Sequence, residues 1–411
     1  MGVEIVVPDG EDFVEAMTPV WHSFAMSALD ESELEDERVL FDASRPLGAR
    51  IDGEWVGAVG DFPFDLTLPG GSTTPAAGVT MVGVAPTHRR QGLLTSMMAR
   101  QLDDIAGRGE MIAILTASES VIYGRFGYGP ATARVQIALE TARSSYLIDA
   151  ADPGRCRMLA KADALPVIKT VYDACRSQRA GSVQRDDWWW HAVEQDRPAD
   201  RRGASALFFV VHEDGGGHAD GYATYRIKED WGAATLPRSE LIAREVYGAS
   251  AAVEAALWRF LFDLDLVERL QCWNRPIDDT LRWRLAEPRH LRTEAISDWL
   301  WLRVMDVAGA LEARAYEGEG ELVLEVVDRF RPSAGGRFRL EAGPDGAACK
   351  PTDEAPEVTL GAAELGSIYL GGVAPSLLAE AGRVEEHSRG GLASADALFT
   401  TRRLPYANTG F

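Results

Sequence analysis

The residues best suited to chemistry lie together in the run Val82-Gly83-Val84-Ala85-Pro86-Thr87-His88-Arg89-Arg90-Gln91-Gly92-Leu93-Leu94. Its apolar start reads as a buried strand, extending back to Val79, that Pro86 brings to an end. Arg89 and Arg90 follow, and Gly92 opens a helical pattern with Leu94, Met98, Leu102 and Ile105 on one face. A helix N-terminus carries unpaired backbone N–H groups and the positive end of the helix dipole. With a glycine that allows close approach and guanidinium groups beside it, it forms a cradle for an anion such as a pyrophosphate. The spacing matches neither Gly-x-x-x-x-Gly-Lys-Ser/Thr nor Gly-x-Gly-x-x-Gly, which separates it from the P-loop and dinucleotide fingerprints. His88 reads as a turn residue.

The flanking elements read as mixed α/β. Phe13, Met17, Val20, Trp21 and Phe24 have helical spacing, Asp52-Gly53 and Pro69-Gly70-Gly71-Ser72 signal hairpins, and Met111 to Leu115 forms a short strand. The chain turns polar between residues 140 and 155, a domain boundary. Beyond it, strands at Ala206–His212, Gly221–Lys228 and Leu241–Tyr247 precede a helix at Ala251–Asp263. That order repeats the first region as a weak duplication, and the second strand-to-helix loop lacks the arginines. Trp188 to Trp190 read as packing. A third region starts at Pro288 and combines a hairpin around Pro332 to Gly335 with helices at Ala362–Leu370 and Ser376–Ala381. The expected domains are 1–145, 146–287 and 288–411.

A chain of 411 residues is long enough for two or three domains. Its formal net charge of −21 argues against nucleic acid as a partner; it serves solubility and can also attract cationic small molecules. Cys156, Cys175, Cys272 and Cys349 are scattered, without metal-ligand spacing, as in a reducing cytoplasm. No metal site is expected. Neither a signal peptide at the start nor an apolar run long enough to span a membrane is evident.

The Arg89-Arg90-Gln91-Gly92-Leu93-Leu94 spacing resembles the Arg/Gln-x-x-Gly-x-Gly/Ala motif of GNAT N-acetyltransferases, with Leu94 departing at the last small position. Together with Ile122-Tyr123-Gly124-Arg125-Phe126-Gly127-Tyr128-Gly129-Pro130-Ala131-Thr132 it is similar to the Eis (enhanced intracellular survival) family. Trp301-Leu302-Arg303, Leu311-Glu312-Ala313-Arg314, Pro351-Thr352-Asp353 and Gly366-Ser367-Ile368-Tyr369-Leu370-Gly371 extend the resemblance over essentially the whole chain.

The resemblance implies tandem GNAT domains, the second degenerate, followed by a sterol-carrier-protein-like domain, and a homohexamer. It implies acetyl-CoA as donor. Val82, Gly83 and Val84 would bond the pantetheine arm and thioester carbonyl. Arg89, Arg90, Gln91, Gly92, Leu93, Leu94 and Thr95 would hold the phosphates, and Ser118 and Glu119 would line the groove. Tyr123 would be the general acid, and the carboxylate of Phe411 the general base. Tyr128 reads as structural. Amine acceptors such as aminoglycosides, polyamines or lysine side chains call for an acidic, aromatic pocket, for which Trp21, Phe24, Asp30 and Glu33 are candidates. The competing reading is a non-catalytic lipid or CoA carrier.

Overall fold

The structure, a computed structural model, describes residues 2–26, 29–148 and 154–411. Residues 149–153 of the expected boundary segment lie outside the described residues, as do Met1, Ser27 and Ala28. The chain divides into two compact units, one joining Met1–Thr132 to Trp299–Phe411 and the other spanning Ala133–Asp298. The divisions between the units fall at 132/133 and 298/299.

In the first unit the N-terminal part runs β1 (Val3–Val6), α1 (Phe13–Ser23), α2 (Glu31–Ala43), β2 (Leu47–Ile51), β3 (Glu54–Thr67), β4 (Thr73–Val84), α3 (Leu93–Gly107), β5 (Ile112–Thr116), α4 (Ser120–Tyr123) and β6 (Gly129–Pro130). Both expected hairpins form, as β2–β3 and β3–β4. Helix α3 buries Leu93, Met97, Met98, Leu102 and Ile105 against the sheet. At typical transfer energies that face is worth on the order of 10 kcal/mol before entropy is subtracted.

The second unit follows with β7 (Ala133–Glu140), β8 (Arg155–Leu159), α5 (Lys161–Arg176), α6 (Asp187–Gln195), β9 (Phe208–Glu213), β10 (Ala219–Lys228), β11 (Ser239–Gly248), α7 (Ala251–Phe262), β12 (Val267–Arg275), α8 (Leu281–Arg284) and β13 (Arg292–Asp298). Its sheet has the order β13-β7-β12-β11-β10-β9-β8. Trp190 is buried here and its indole N–H donates to the Arg185 carbonyl at 3.1 Å, a packing role.

The chain then returns to the first unit through β14 (Leu300–Val304), which fills the gap between β5 and β6. The sheet thereby becomes β1-β2-β3-β4-β5-β14-β6. The remaining elements are α9 (Val307–Ala313), β15 (Gly320–Val327), β16 (Gly336–Gly343), β17 (Gly346–Pro351), β18 (Val358–Gly361), α10 (Ala362–Ile368), α11 (Pro375–Glu380), β19 (Val384–Glu386) and α12 (Gly391–Phe399). They build a sheet of order β17-β16-β15-β18-β19.

Candidate active site

Strands β4 and β5 are parallel neighbours only from Ala76–Val79 against Ile112–Leu115. Strand β5 ends at Thr116, whereas β4 continues to Val84. The edge of Thr80 to Val84 on that side meets no strand among the described residues, so the pair opens as a fork. The cause is local. Met81 has φ +53°, and the β3–β4 register shifts beside it, between Ala58 and Gly60. A non-glycine residue in the left-handed region within a strand marks a bulge, which bends the strand away from its neighbour. The result is a row of backbone donors and acceptors around Val82, Gly83 and Val84 that an extended ligand can join as an added strand.

Beyond Val84 the chain makes a short 3-10 turn, Pro86–His88, and reaches Arg89 to Gly92, all exposed. Arg90 has φ +65° and Gly92 φ +81°. Gly92 is the N-cap of α3 and, lacking a side chain, caps nothing. The first helical N–H to bond back is that of Ser96, to the Gly92 carbonyl at 3.0 Å. The N–H groups of Leu93, Leu94 and Thr95 therefore face outward without a backbone acceptor. Neither Arg89 nor Arg90 forms an ion pair among the described residues. Unspent donors, an unspent helix dipole and unpaired guanidiniums coincide here, which fits a phosphate-bearing ligand.

At the other arm of the fork, Ser118 and Glu119 are exposed and lead into α4. Tyr123 ends α4 and is 7% exposed. Burial, and then the negative charge of Glu119, push its phenol up to about 12. It is thus protonated throughout the neutral range, which suits a hydrogen-bond donor. The Tyr128 ring meets it edge-on at 6.2 Å. Tyr128 is fully buried, in keeping with a structural role.

The C-terminal stretch is held in place. Pro405, Tyr406, Ala407, Asn408 and Thr409 are buried, and the Phe411 ring packs on Phe64 with centroids 4.8 Å apart. A Cβ on Gly78 would collide with the Phe64 ring and lie 3.1 Å from the Phe411 ring, so this glycine makes room for the pair. The Phe411 oxygen accepts a hydrogen bond from Thr116 Oγ1 at 3.3 Å. Gly78 lies on β4 next to the last paired residue, and Thr116 is the end of β5, so Phe411 sits at the crotch of the fork. Thr116, Gly78 and Phe64 escaped the sequence reading, since nothing local marks them as partners of the last residue.

The acceptor-pocket candidates divide. Trp21 belongs to a core cluster with Phe13, Met17 and Phe41, and its indole N–H donates to Glu37 Oε2 at 3.1 Å. Burial raises the Glu37 carboxyl above its usual range, making it an acid near this region that the sequence did not single out. Asp30 is the N-cap of α2 and Glu33 completes the capping box, so both have a local structural task. Phe24 is about half exposed at the end of α1. Among the described residues no group of His, Cys, Asp or Glu could hold a metal ion.

Comparison with known proteins agrees with this architecture. Residues 9–131 and 181–304 each match an acetyltransferase (GNAT) domain family, and residues 307–408 match a sterol carrier protein domain. An uncharacterized N-acetyltransferase of Streptomyces coelicolor is 42% identical over 384 residues, 92% of each chain. The N-acetyltransferase Eis of Mycobacterium tuberculosis is 37% identical over 364 residues, covering 86% of this chain and 85% of its own. The crystal structure of Eis1 from Mycobacterium abscessus superposes over the full length of both chains with a TM-score of 0.87 at 35% identity. The tandem acetyltransferase fold, the sterol-carrier-like ending and these full-length relatives together make the chain a member of the Eis family of GNAT N-acetyltransferases.

Proposed function

We propose that the protein transfers acetyl from acetyl-CoA to primary amines of cationic acceptors, such as aminoglycosides, polyamine-like compounds or lysine side chains, by direct attack in a ternary complex. The observation that carries this reading is the meeting of Phe411 with Thr116 and Phe64 where β4 and β5 part. A pantetheine arm added to the open edge of β4, with its pyrophosphate on Arg89, Arg90 and the α3 N-terminus, would run toward that point.

The acceptor attacks the thioester carbonyl as the neutral amine. Its nitrogen becomes positive as the C–N bond forms, and the carboxylate of Phe411 accepts the proton it then sheds. The C–S bond breaks and the thiolate leaves. A thiol of about 8.5 does not strip the proton from a phenol held near 12, so Tyr123 steadies the thiolate as a hydrogen-bond donor. The departing thiolate takes up a proton from solvent and the Phe411 carboxyl returns its own there, so that amine and acetyl-CoA yield amide and CoA thiol. The excess of acidic residues favours a cationic acceptor through long-range attraction.

The lipid-carrier alternative fares worse. The apolar cavity inside the sterol-carrier-like region, between Leu322, Leu324, Ile368 and Phe399, measures about 10 Å³. That is about the space one water needs, far short of an acyl chain.

The test is CoA release from acetyl-CoA with spermine, kanamycin, tobramycin, lysine and a lysine peptide as acceptors. Release with the polyamine or the aminoglycosides supports the reading. No release from any amine, with acetyl-CoA still bound, overturns the acceptor class.

A further inference from the structure

We infer that Arg303 and Asp328 are positioning residues for the Tyr123 phenol, and that the loop after β15 thereby serves the acetyl transfer from a distance. The inference rests on Tyr123 acting as the hydrogen-bond donor to the leaving thiolate.

Tyr123 stands on a segment that cannot hold its own shape. Helix α4 has four residues and runs straight into the 3-10 turn Gly124–Phe126. Helical pieces this short have no intrinsic stability. On one side of the turn lies a cleft of about 950 Å³, bordered by Gly124, Arg125 and Gly127 and by Asp328, Arg329 and Phe330 across from them. Tyr123, Phe126 and Tyr128 anchor the segment in the core on its other side, which leaves the backbone facing the cleft to be held by polar contacts.

The arrangement supplies a polar tether there. Arg303, on β14, is completely buried. Its Nη1 donates to the Phe126 carbonyl and its Nη2 pairs with Asp328. Asp328 in turn accepts from the N–H groups of Phe330 at 3.0 Å and Arg331 at 2.8 Å. One guanidinium therefore spans from the turn that follows Tyr123 to the loop that follows β15. Gly127 closes the turn at φ +83°, and a Cβ there would collide with the Arg303 guanidinium. The Phe126 and Phe330 rings, 5.0 Å apart and edge to face, join the same two segments a second time. The loop is pinned at its far end by Arg331 on Asp103 of α3, at 3.0 Å.

A buried ion pair contributes little net stability against an apolar substitute. A planar fork with fixed donor directions is well suited to fixing a carbonyl in place. Fixing the Phe126 carbonyl fixes the turn, and with it the direction of the phenol three residues earlier. Misplacing a catalytic group by about 1 Å costs about 100-fold in rate.

The test is a double-mutant cycle in the full chain. Asp328→Asn should lower kcat by about 10- to 100-fold, with KM for acetyl-CoA and for the amine within about twofold. Asp328→Glu should recover part of the loss. In a Tyr123→Phe background, Asp328→Asn should add nothing, because the group it positions is gone. Equal losses in both backgrounds, a change confined to KM, or an unchanged rate would overturn the inference. Should Asp328→Asn fail to fold in a thermal melt, Arg303→Lys carries the same cycle, since it keeps the buried charge pair but cannot reach both partners. Full activity in Tyr123→Phe alone would defeat the role of the phenol itself, a separate outcome from failure of the tether.

Discussion

The two acetyltransferase-like units build the same device and then treat it in opposite ways. In the second, β11 and β12 run parallel from Ser239 to Ala243 and Val267 to Cys272, and β11 continues to Gly248, as β4 does in the first. The first unit leaves its strand edge open. In the second, Arg275 is buried and donates its Nη1 to the Val246 carbonyl at 3.1 Å, while Asp279 at 2.5 Å and Glu254 at 3.4 Å neutralise it. The helix termini differ likewise. Gly92 leaves the N–H groups of α3 unmet, whereas Ser250 caps α7 by accepting from Val253 N–H at 3.3 Å. Glu254 adds a carboxylate to the first turn of α7, where an incoming phosphate would meet repulsion. An anion site can thus be lost with the fold intact, simply by answering its donors from within.

This contrast can be broken or sharpened by substitution. The largest effect should come from deleting Phe411, which has no counterpart in the second unit. Turnover should fall by about 100-fold or more, with the melting temperature and acetyl-CoA binding nearly unchanged; a rate that survives the deletion would remove the proposed base. Next in size is Arg275→Met. It strands Glu254 and Asp279 without their cation, and urea unfolding should show a loss of about 3–5 kcal/mol. Calorimetric titration of the same variant should show no additional acetyl-CoA site, because Ser250 still caps its helix. Arg90→Ala or Arg89→Ala removes one exposed charge from the open cradle. Acetyl-CoA affinity should drop by about 1 kcal/mol, roughly fivefold, and the difference should fade as salt is raised. The smallest change is expected from Gly92→Ser, which imports the closed unit's cap into the open one. A few-fold weaker acetyl-CoA binding should accompany a stability change within about 1 kcal/mol, since the new cap and the strain at positive φ oppose each other.

Much of this was legible in the residue order, and the reason is locality. The anion cradle is written in consecutive residues, from the strand before Pro86 to the glycine before α3. The hairpins follow from Asp52-Gly53 and Pro69-Gly70, and both turns form where expected. The apolar face of α3 holds as well, with Leu94 at its half-buried margin. What stayed hidden depends on partners distant in sequence. The apolar stretch at Trp299 to Val304 shows no clean alternation because β14 is buried throughout, between two strands of a sheet begun much earlier. The fork at Met81 needs a backbone angle that methionine rarely adopts, so composition gives no hint of it. Asp30 and Glu33 carry a second signal in the same spacing, that of a capping box, which the structure forms.

The late arrival of β14 also sets an order of events. Leu300 to Val304 pair with Ile112 to Thr116, so the first sheet stays split between β5 and β6 until the intervening unit has been synthesised. That intervening unit is a single unbroken stretch, with every strand of its sheet between Ala133 and Asp298. Contacts of such high sequence separation are slow to form, and domains fold as units while the chain emerges. The inserted unit can therefore mature first, while the N-terminal segment waits with two unpaired strand edges. The half of the molecule that carries the candidate chemistry would be the last to close, leaving it the more exposed to aggregation during synthesis.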